Sequence, residues 1–249
     1  MRHSYRPAIP PQPQPYRTQV LDHLGLVAGM FEELGITEVI DKATKQDPEM
    51  RIVTAGHAVK AMVLNGLGFI NQQLYLVPHF FHNKPISRLI APGIQASHLN
   101  DDTLGRTLDT LYAVGVTELY SLIAATAAKR LGLTATFTHL DSTSFHVDGR
   151  YNSDEEPGEH VIHITRGYSR DQRPDLNQVM LDLIVEHQAG IPVLMKPLNG
   201  NSSDAHDFGQ IITDPMAQLQ TTYGTTFLVA DSALYSAENL QHLAATGTT

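Results

Sequence analysis

The sequence predicts an α+β protein in which a helical half precedes a half built from strands and helices. Up to residue 130 the apolar residues recur at spacings of three and four, which is typical of amphipathic helices. From residue 131 the pattern of residues changes. TATFTHLD (134–141) alternates β-branched and other residues, as strands do. The predicted domains are a proline-rich arm at 1–18, a helical domain at 19–130 and a second domain at 131–249.

Four long segments predict the helices of the first half. LDHLGLVAGMFEELG (21–35) places apolar residues on one face, and these are Leu21, Leu24, Val27, Met30 and Phe31. TAGHAVKAMVLNGLGFI (54–70) repeats the pattern, with Thr54 as a predicted N-cap. The segments 100–115 and 117–132 predict two further helices, each preceded by a capping residue and ended by a glycine.

The second half predicts strands separated by turns. EHVIHITRG (159–167) is a candidate strand after 134–141. NQVMLDLIVEH (177–187) and IPVLMKPL (191–198) predict a hairpin, with Gly190 available for a positive φ. A helix is predicted over 201–224, a strand over TTFLVAD (225–231), and another helix over 236–245.

Charge and composition narrow the function classes. The net charge is −9 and cysteine is absent, so disulfides and thiolate metal sites are excluded. Residues 1–130 hold 12 Lys and Arg against 11 Asp and Glu, whereas residues 131–249 hold 5 against 15. A generic nucleic-acid-binding protein is usually basic. No signal peptide or membrane span is visible, so we expect a cytoplasmic protein with no membrane partner.

Two aspartates follow apolar strand segments. Asp141 follows TATFTHL, and Asp231 follows TTFLVA, so both are predicted at strand ends. Active sites of α/β proteins form at the carboxyl ends of strands, and the two side chains would meet if their strands were neighbours. Carboxylate oxygens are ligands for Mg²⁺ or Mn²⁺. The alternative interpretation is structural: Asp231 would cap the following helix, and Asp141 would accept from turn amides.

Four segments occur in an order that resembles a known family. They are HLDSTSFHVDG, TRGYSRDQRPDLNQVMLDLIVE, GIPVLMKPLNGNSSD and LVADSALYSAENL. Together they resemble the catalytic region of insertion-sequence DDE transposases, which has a ribonuclease H-like fold. The resemblance covers roughly residues 130–249, and the helical half is similar to the domain that precedes this region in one subgroup.

The resemblance implies a mixed sheet and a two-metal site. Asp141 and Asp231 match the first two catalytic acids, which would hold Mg²⁺ or Mn²⁺. The family's third acid is a glutamate on a later helix, and Glu238 does not match it because it lies in the wrong element. The domain at 131–249 is therefore expected to be an incomplete ribonuclease H-like domain, and the chain a truncated or split transposase.

Two further sets of residues are candidates for binding. Arg166, Arg170 and Arg173 lie in a loop with Tyr168 and are candidates for contacts with DNA phosphates. The alternative is a solvated loop held by Arg–Asp pairs. His139, Asp141, His146 and Asp148 suggest zinc by residue type, although their spacing matches no common zinc pattern. His160 and His163 are expected on a strand surface.

The function expected from these observations is that of a transposase fragment. In the complete enzyme, DNA strands at the element ends would be cleaved and transferred by two-metal phosphoryl transfer. Two alternatives remain open: a catalytically inactive remnant that binds DNA or assembles with full-length copies, and an unrelated metal-dependent phosphohydrolase. DNA is the expected partner, and formation of a homo-oligomer is left open.

Overall fold

Helices come first along the chain and strands second, which confirms the α+β class. The computed structural model describes residues 18–45, 51–68, 73–149, 151, 161–169, 172–202, 219–230, 241 and 244. Within them the α-helices are α1 (Leu24–Leu34), α2 (Ile36–Thr44), α3 (Ala55–Gly66), α4 (Val77–Phe81), α5 (Ile86–Leu89), α6 (Asp101–Val114) and α7 (Val116–Leu131). The strands are β1 (Phe137–Val147), β2 (Asn177–Glu186), β3 (Pro192–Leu198) and β4 (Phe227–Val229).

Local signals fix several helix ends. The Thr54 hydroxyl accepts a hydrogen bond from the His57 amide at 3.2 Å, so the predicted N-cap of α3 is confirmed. The Asn100 side chain caps α6 in the same way, through the Thr103 amide at 2.9 Å. The predicted cap of α7 is wrong, because Gly115 occupies that position and supplies no side-chain bond.

The helices bury their apolar stripes against one another. A core of α1, α3, α4, α5 and α6 side chains includes Leu24, Leu64 and Phe81, each no more than 1% exposed. The predicted face of α1 is confirmed for Leu24 and Phe31, but Leu21 and Met30 are exposed. Periodicity identifies a helix reliably and its buried arc only approximately, because the positions of neighbouring helices decide which residues are covered.

The sheet has the order β3-β2-β1-β4. β1 pairs antiparallel with β2 along its whole length, β2 pairs antiparallel with β3, and β4 pairs parallel with β1. The predicted β2–β3 hairpin is confirmed, and Gly190 in its turn has φ +70°. The sheet is therefore mixed, as the resemblance implies.

Helix α7 joins the two parts of the molecule. Its Leu119 packs with Ile40 and Ala55 of the helical region, whereas its Ala128 packs with Leu140, Ile184 and Leu194 of the sheet. The Tyr120 hydroxyl also donates to the Pro192 carbonyl at 3.0 Å. These contacts fix one face of the sheet against the helices.

In the second half, one predicted strand needs correction, and two predicted helices lie mostly outside the described residues. The strand predicted over 159–167 is wrong for the described residues 161–167, where only Thr165 forms an isolated bridge, to Gln178. Residues 219–223 of the helix predicted over 201–224 are helical. Most of that helix, and the segment 236–245 apart from helical residues 241 and 244, lie outside the described residues.

Within the described part of the chain, no single helix is long and apolar enough to cross a membrane. Helices α6 and α7 reach the required length and composition only as a pair, and they meet at a bend of 88°.

Candidate functional site

Asp141 lies in the middle of β1, so its prediction at a strand end is wrong. The strand continues for six residues beyond it, to Val147, because β2 offers ladder partners along the entire length. Leu183 of β2 lies directly opposite Asp141. The alternation STSFHV after Asp141 has the β-branched and aromatic residues that extend a strand. Asp141 is therefore held by a paired backbone on a rigid element.

β4, which precedes Asp231 in sequence, pairs with β1, the strand that contains Asp141. The parallel register places Phe227 beside Phe137 and Val229 beside His139. His139 and Val229 each precede one of the two aspartates by two residues. Asp231 itself lies outside the described residues, so the separation of the two carboxylates stays a prediction.

Asp141 is exposed, on the face of β1 that α7 does not cover. Successive side chains of a strand point to opposite faces, so Asp141 shares its face with His139 and Phe137, whereas Thr138 and Leu140 are buried on the other. One carboxylate oxygen, Oδ1, accepts a hydrogen bond from the Ser142 amide at 2.9 Å.

A cluster of aromatic and imidazole rings lies on this face beside Asp141. The rings of Phe137 and Phe227 are stacked, with centroids 4.7 Å apart and planes 13° apart. Nε2 of His139 and Nδ1 of His187 are 2.9 Å apart, so one ring donates to the other. Sequence reasoning missed His187, because its nearness to His139 follows from the register between β1 and β2 and no local motif marks it.

The residues considered for zinc do not come together. His139 and Asp141 lie on one face of β1, and His146 lies on the other, where its Nε2 is 3.1 Å from the Ser169 hydroxyl. Asp148 follows the end of the strand. His160 lies outside the described residues. No group of three or more His, Cys, Asp or Glu side chains suited to a metal forms within the residues that the structure describes.

The opposite face of the sheet contains a carboxylate that sequence reasoning also missed. Asp182 of β2 is 3% exposed, and its Oδ1 accepts a hydrogen bond from the Ser142 hydroxyl at 2.6 Å. Lys196 of β3 lies opposite Asp182 in the ladder. The hydrogen bond between Ser142 and Asp182 joins β1 to β2 and so stabilises their pairing. Because both side chains are on the face covered by α7, the sheet separates them from Asp141.

The arginine loop lies at the far end of β1. Thr165 bridges to Gln178, which lies opposite His146, five residues along β1 from Asp141. Five residues of strand span about 17 Å. Arg166 is exposed next to this bridge, and Tyr168 is 87% exposed. Arg166 and Asp141 are thus too far apart to bind one phosphate.

The loop is anchored by Gln178, whose Nε2 donates to the carbonyls of Gly200 at 2.7 Å and Tyr168 at 3.3 Å. Gly167 and Gly200 pack so closely that a Cβ on either would collide with backbone of the facing segment. This packing explains two glycines at positions where no positive φ requires them.

Arg173 is engaged within the protein. Its guanidinium donates two hydrogen bonds of 2.9 Å to Asp175. These hydrogen bonds lower the pKa of Asp175 to about 2 and raise the pKa of Arg173. This contact favours the alternative interpretation of a tethered loop at Arg173, leaves Arg166 as a candidate DNA contact, and does not bear on Arg170, which lies outside the described residues.

Comparison with known proteins concerns the helical half. Residues 16–125 match a family described as a domain of unknown function (DUF4277). The match includes α1 to α6 and most of α7, and none of the sheet. No curated protein and no solved structure matches the chain.

Proposed function

We propose that this chain belongs to an insertion-sequence DDE transposase and supplies two of its catalytic carboxylates, Asp141 and Asp231. The observation that carries the proposal is the parallel pairing of β4 with β1. The two aspartates can meet only if β1 and β4 are neighbours. The last paired residues of these strands, His139 and Val229, each lie two residues before an aspartate. Continued for those two residues, the register would place Asp141 beside Asp231.

The side chains suit a hard divalent cation. Asp141 presents carboxylate oxygens on an exposed face, and the second carboxylate would come from Asp231. Mg²⁺ and Mn²⁺ prefer oxygen ligands and commonly take only one or two protein carboxylates. When bound, such ions activate a water or hydroxyl and stabilise the leaving oxygen in phosphoryl transfer. The role of the protein is to fix the carboxylates on adjacent paired strands, which limits their movement.

The glutamate that the resemblance implies has no match within the 249 residues. We propose the activity for a site in which Asp141 and Asp231 act together with a third acid. When one residue of an interdependent catalytic set is removed, the rate of catalysis falls by several orders of magnitude. Accordingly, the 249-residue chain by itself is expected to bind metal weakly and to cleave DNA at a negligible rate.

The test is excision from a plasmid that carries the coding region with its natural flanking DNA, measured by amplification across the repaired donor site. Asp141→Asn and Asp231→Asn should each reduce excision by about a thousandfold or more. Asp148→Asn is the matched control, since Asp148 is an exposed aspartate just past the end of β1. Excision at the unsubstituted rate by Asp141→Asn would overturn the proposal.

A second measurement does not depend on activity. Titration of the 249-residue chain with Mn²⁺, followed by electron paramagnetic resonance, should reveal bound ion that is lost in Asp141→Asn and kept in Asp148→Asn. The inactive-remnant alternative predicts no excision even when the missing glutamate is supplied. The phosphohydrolase alternative predicts Asp141-dependent hydrolysis of a simple phosphodiester such as bis-p-nitrophenyl phosphate, without dependence on the flanking DNA.

A further inference from the structure

A polar cavity lies in the helical region, away from the sheet. It has a volume of about 460 Å³ and is bounded by the segment before α3, the segment 97–100 and the first turns of α6. The residues that line it include Arg51, Arg106 and His98. Neither Asp141 nor the arginine loop contributes to it, so it is distinct from the site proposed for catalysis.

The hydrogen bonds around His98 leave a donor for a ligand. The backbone amide of Gln95 donates to Nδ1 of His98 at 3.2 Å, so in the neutral ring the proton is on Nε2. His98, Arg51 and Arg106 all line the cavity, and each side chain has N–H groups that can donate hydrogen bonds. A group that accepts hydrogen bonds and carries negative charge matches this lining.

Among the described residues, only Asp102 lies within ion-pair distance of either arginine. Within the described residues, no carboxylate forms an ion pair with Arg51. Arg106 approaches Asp102 at 3.9 Å, and both side chains are more than three-quarters exposed. An exposed ion pair at this distance contributes little, so an incoming phosphate competes with it readily. Asp102 and Asp101, in the first turn of α6, are the acidic groups nearest the cavity on this helix.

Charge distribution points to the helical half as the part that faces DNA. Residues 1–130 hold 12 Lys and Arg against 11 Asp and Glu, a net charge of +1, whereas residues 131–249 have a net charge of −10. An acidic catalytic domain repels the DNA backbone, so the complex needs cationic contacts elsewhere. The exposed side chain of Ile52, 64% accessible at the edge of the cavity, offers an apolar surface beside the arginines.

We propose that this cavity binds a phosphate of the DNA backbone, with Arg51 and Arg106 as the principal contacts and His98 as an additional donor. The identity of the ligand rests on the proposed function, which makes DNA the partner. Guanidinium groups bind phosphate through two parallel hydrogen bonds, which a lysine does not reproduce. Contacts of this kind position a protein on the duplex without selecting its sequence.

The test is binding of the 249-residue chain to a fluorescein-labelled duplex of roughly 30 base pairs, followed by anisotropy in EDTA at several salt concentrations. Arg51→Gln and Arg106→Gln should each weaken binding about tenfold near 0.1 M salt and reduce the salt slope by about 0.9. Arg88→Gln is the matched control: Arg88 is an exposed arginine of α5 in the same half and outside the cavity. Arg51→Lys should restore only part of the affinity.

Three results would overturn the inference. They are no binding of DNA by the unsubstituted chain, an equal loss in Arg88→Gln, and displacement of DNA by inorganic phosphate with no loss in the Arg51 and Arg106 variants. Thermal unfolding of every variant should match that of the unsubstituted chain, because all three arginines are exposed.

Failure here is distinguishable from failure of the proposed function. Asp141→Asn should bind the duplex normally in EDTA, because binding through the cavity needs neither metal nor the sheet. Normal excision by Asp141→Asn with DNA binding still lost in the arginine variants would leave the cavity assignment standing and remove the catalytic one. Loss of excision in Asp141→Asn, with full DNA binding by both arginine variants, would do the reverse.

Discussion

The helical region and the sheet bury different kinds of side chain. In the helices the fully buried residues are mainly apolar, as with Leu64, Phe81 and Leu99. In β2 the buried face includes Gln178, Asp182 and Glu186, whereas the alternate residues, which are the apolar Val179, Leu181, Leu183 and Val185, are only partly buried. The buried face of β2 therefore depends more on hydrogen-bonded polar side chains, and the helices more on close apolar packing.

Each buried polar side chain of β2 makes at least one hydrogen bond, although Oε1 of Gln178 has no partner among the described residues. The Gln178 amide donates to Gly200, Asp182 accepts from Ser142, and the Glu186 carboxylate accepts from three amides of the hairpin turn. Such groups specify one register, because a slip of one residue would expose them and leave their partners buried without a bond. Meanwhile Phe145 and Val229 remain 51% and 43% exposed on the opposite face.

The largest difference between the sheet and the helices is expected in the rate of amide hydrogen exchange. Within the described residues β4 is three residues long and pairs only with β1, whereas α3 is surrounded by other helices. We expect the amides of 227–229 to exchange at least about a hundredfold faster than those of 58–64, because short edge elements open locally. Amides of β2, which pairs on both sides, serve as the control and should resemble α3. Equal protection of β4 and α3, measured by mass spectrometry, would contradict the comparison.

A Leu→Ala substitution should lower the free energy of unfolding more in the helices than on the partly exposed face of the sheet. Leu64→Ala removes a side chain that is 0% exposed and should lower the free energy of unfolding by about 2–5 kcal/mol. Leu183→Ala deletes the same atoms from the partly buried face and should cost about 1 kcal/mol. Denaturation by urea measures both. An equal loss would mean that the apolar face of the sheet is covered in solution.

Glu186 tests whether a polar group stabilises the sheet. Burial raises the pKa of this carboxyl, but the amides of the hairpin turn outweigh that effect and the net pKa is lowered. Glu186→Gln should therefore destabilise the protein at neutral pH by about 1.5–3 kcal/mol, the range for hydrogen bonds to a charged group. Glu33→Gln, at an exposed position of α1, is the control and should change stability by less than about 0.5 kcal/mol.

The difference in stability between the unsubstituted protein and Glu186→Gln should depend on pH in one direction. A carboxyl whose pKa is lower in the folded state stabilises the protein above its unfolded pKa, which is about 4.3 for glutamate. This contribution disappears as the pH falls through the lower folded pKa. Unfolding measured between neutral and acidic pH should show the unsubstituted protein and Glu186→Gln converging below about pH 4. A difference that does not change with pH would show that the turn amides do not discriminate between the ionised and neutral carboxyl.

Much of the fold followed from local sequence. Thr54 and Asn100 cap helices because a side-chain oxygen two or three residues before a free amide needs no help from the rest of the chain. Gly190 and its flanking strands defined the hairpin for the same reason. Over the described residues 161–167 the predicted strand did not form, because only Thr165 found a bridge partner, Gln178. A strand needs a neighbour, and composition does not supply one.

The candidate site was predicted in part. Residue order and apolar runs singled out Asp141 and Asp231, and in the sheet the strand that precedes Asp231 is the neighbour of the strand that contains Asp141. The position of Asp141 within β1 was missed, because the end of a strand depends on the length of its partner. His187 and the cavity at Arg51 and Arg106 were also missed, since each joins residues far apart in sequence.

The sequence by itself determined where α1, α3, α6 and α7 form, where the hairpin turns, and which half of the chain is acidic. Those properties depend on caps, periodicity and residue charge, all of which act over a few residues. Only the tertiary structure decided that β4 lies parallel to β1, that the polar side of β2 is the buried one, and that Arg51 and Arg106 share a cavity. These are contacts between distant segments, and they form because packing the whole chain, rather than any local preference, selects which surfaces meet.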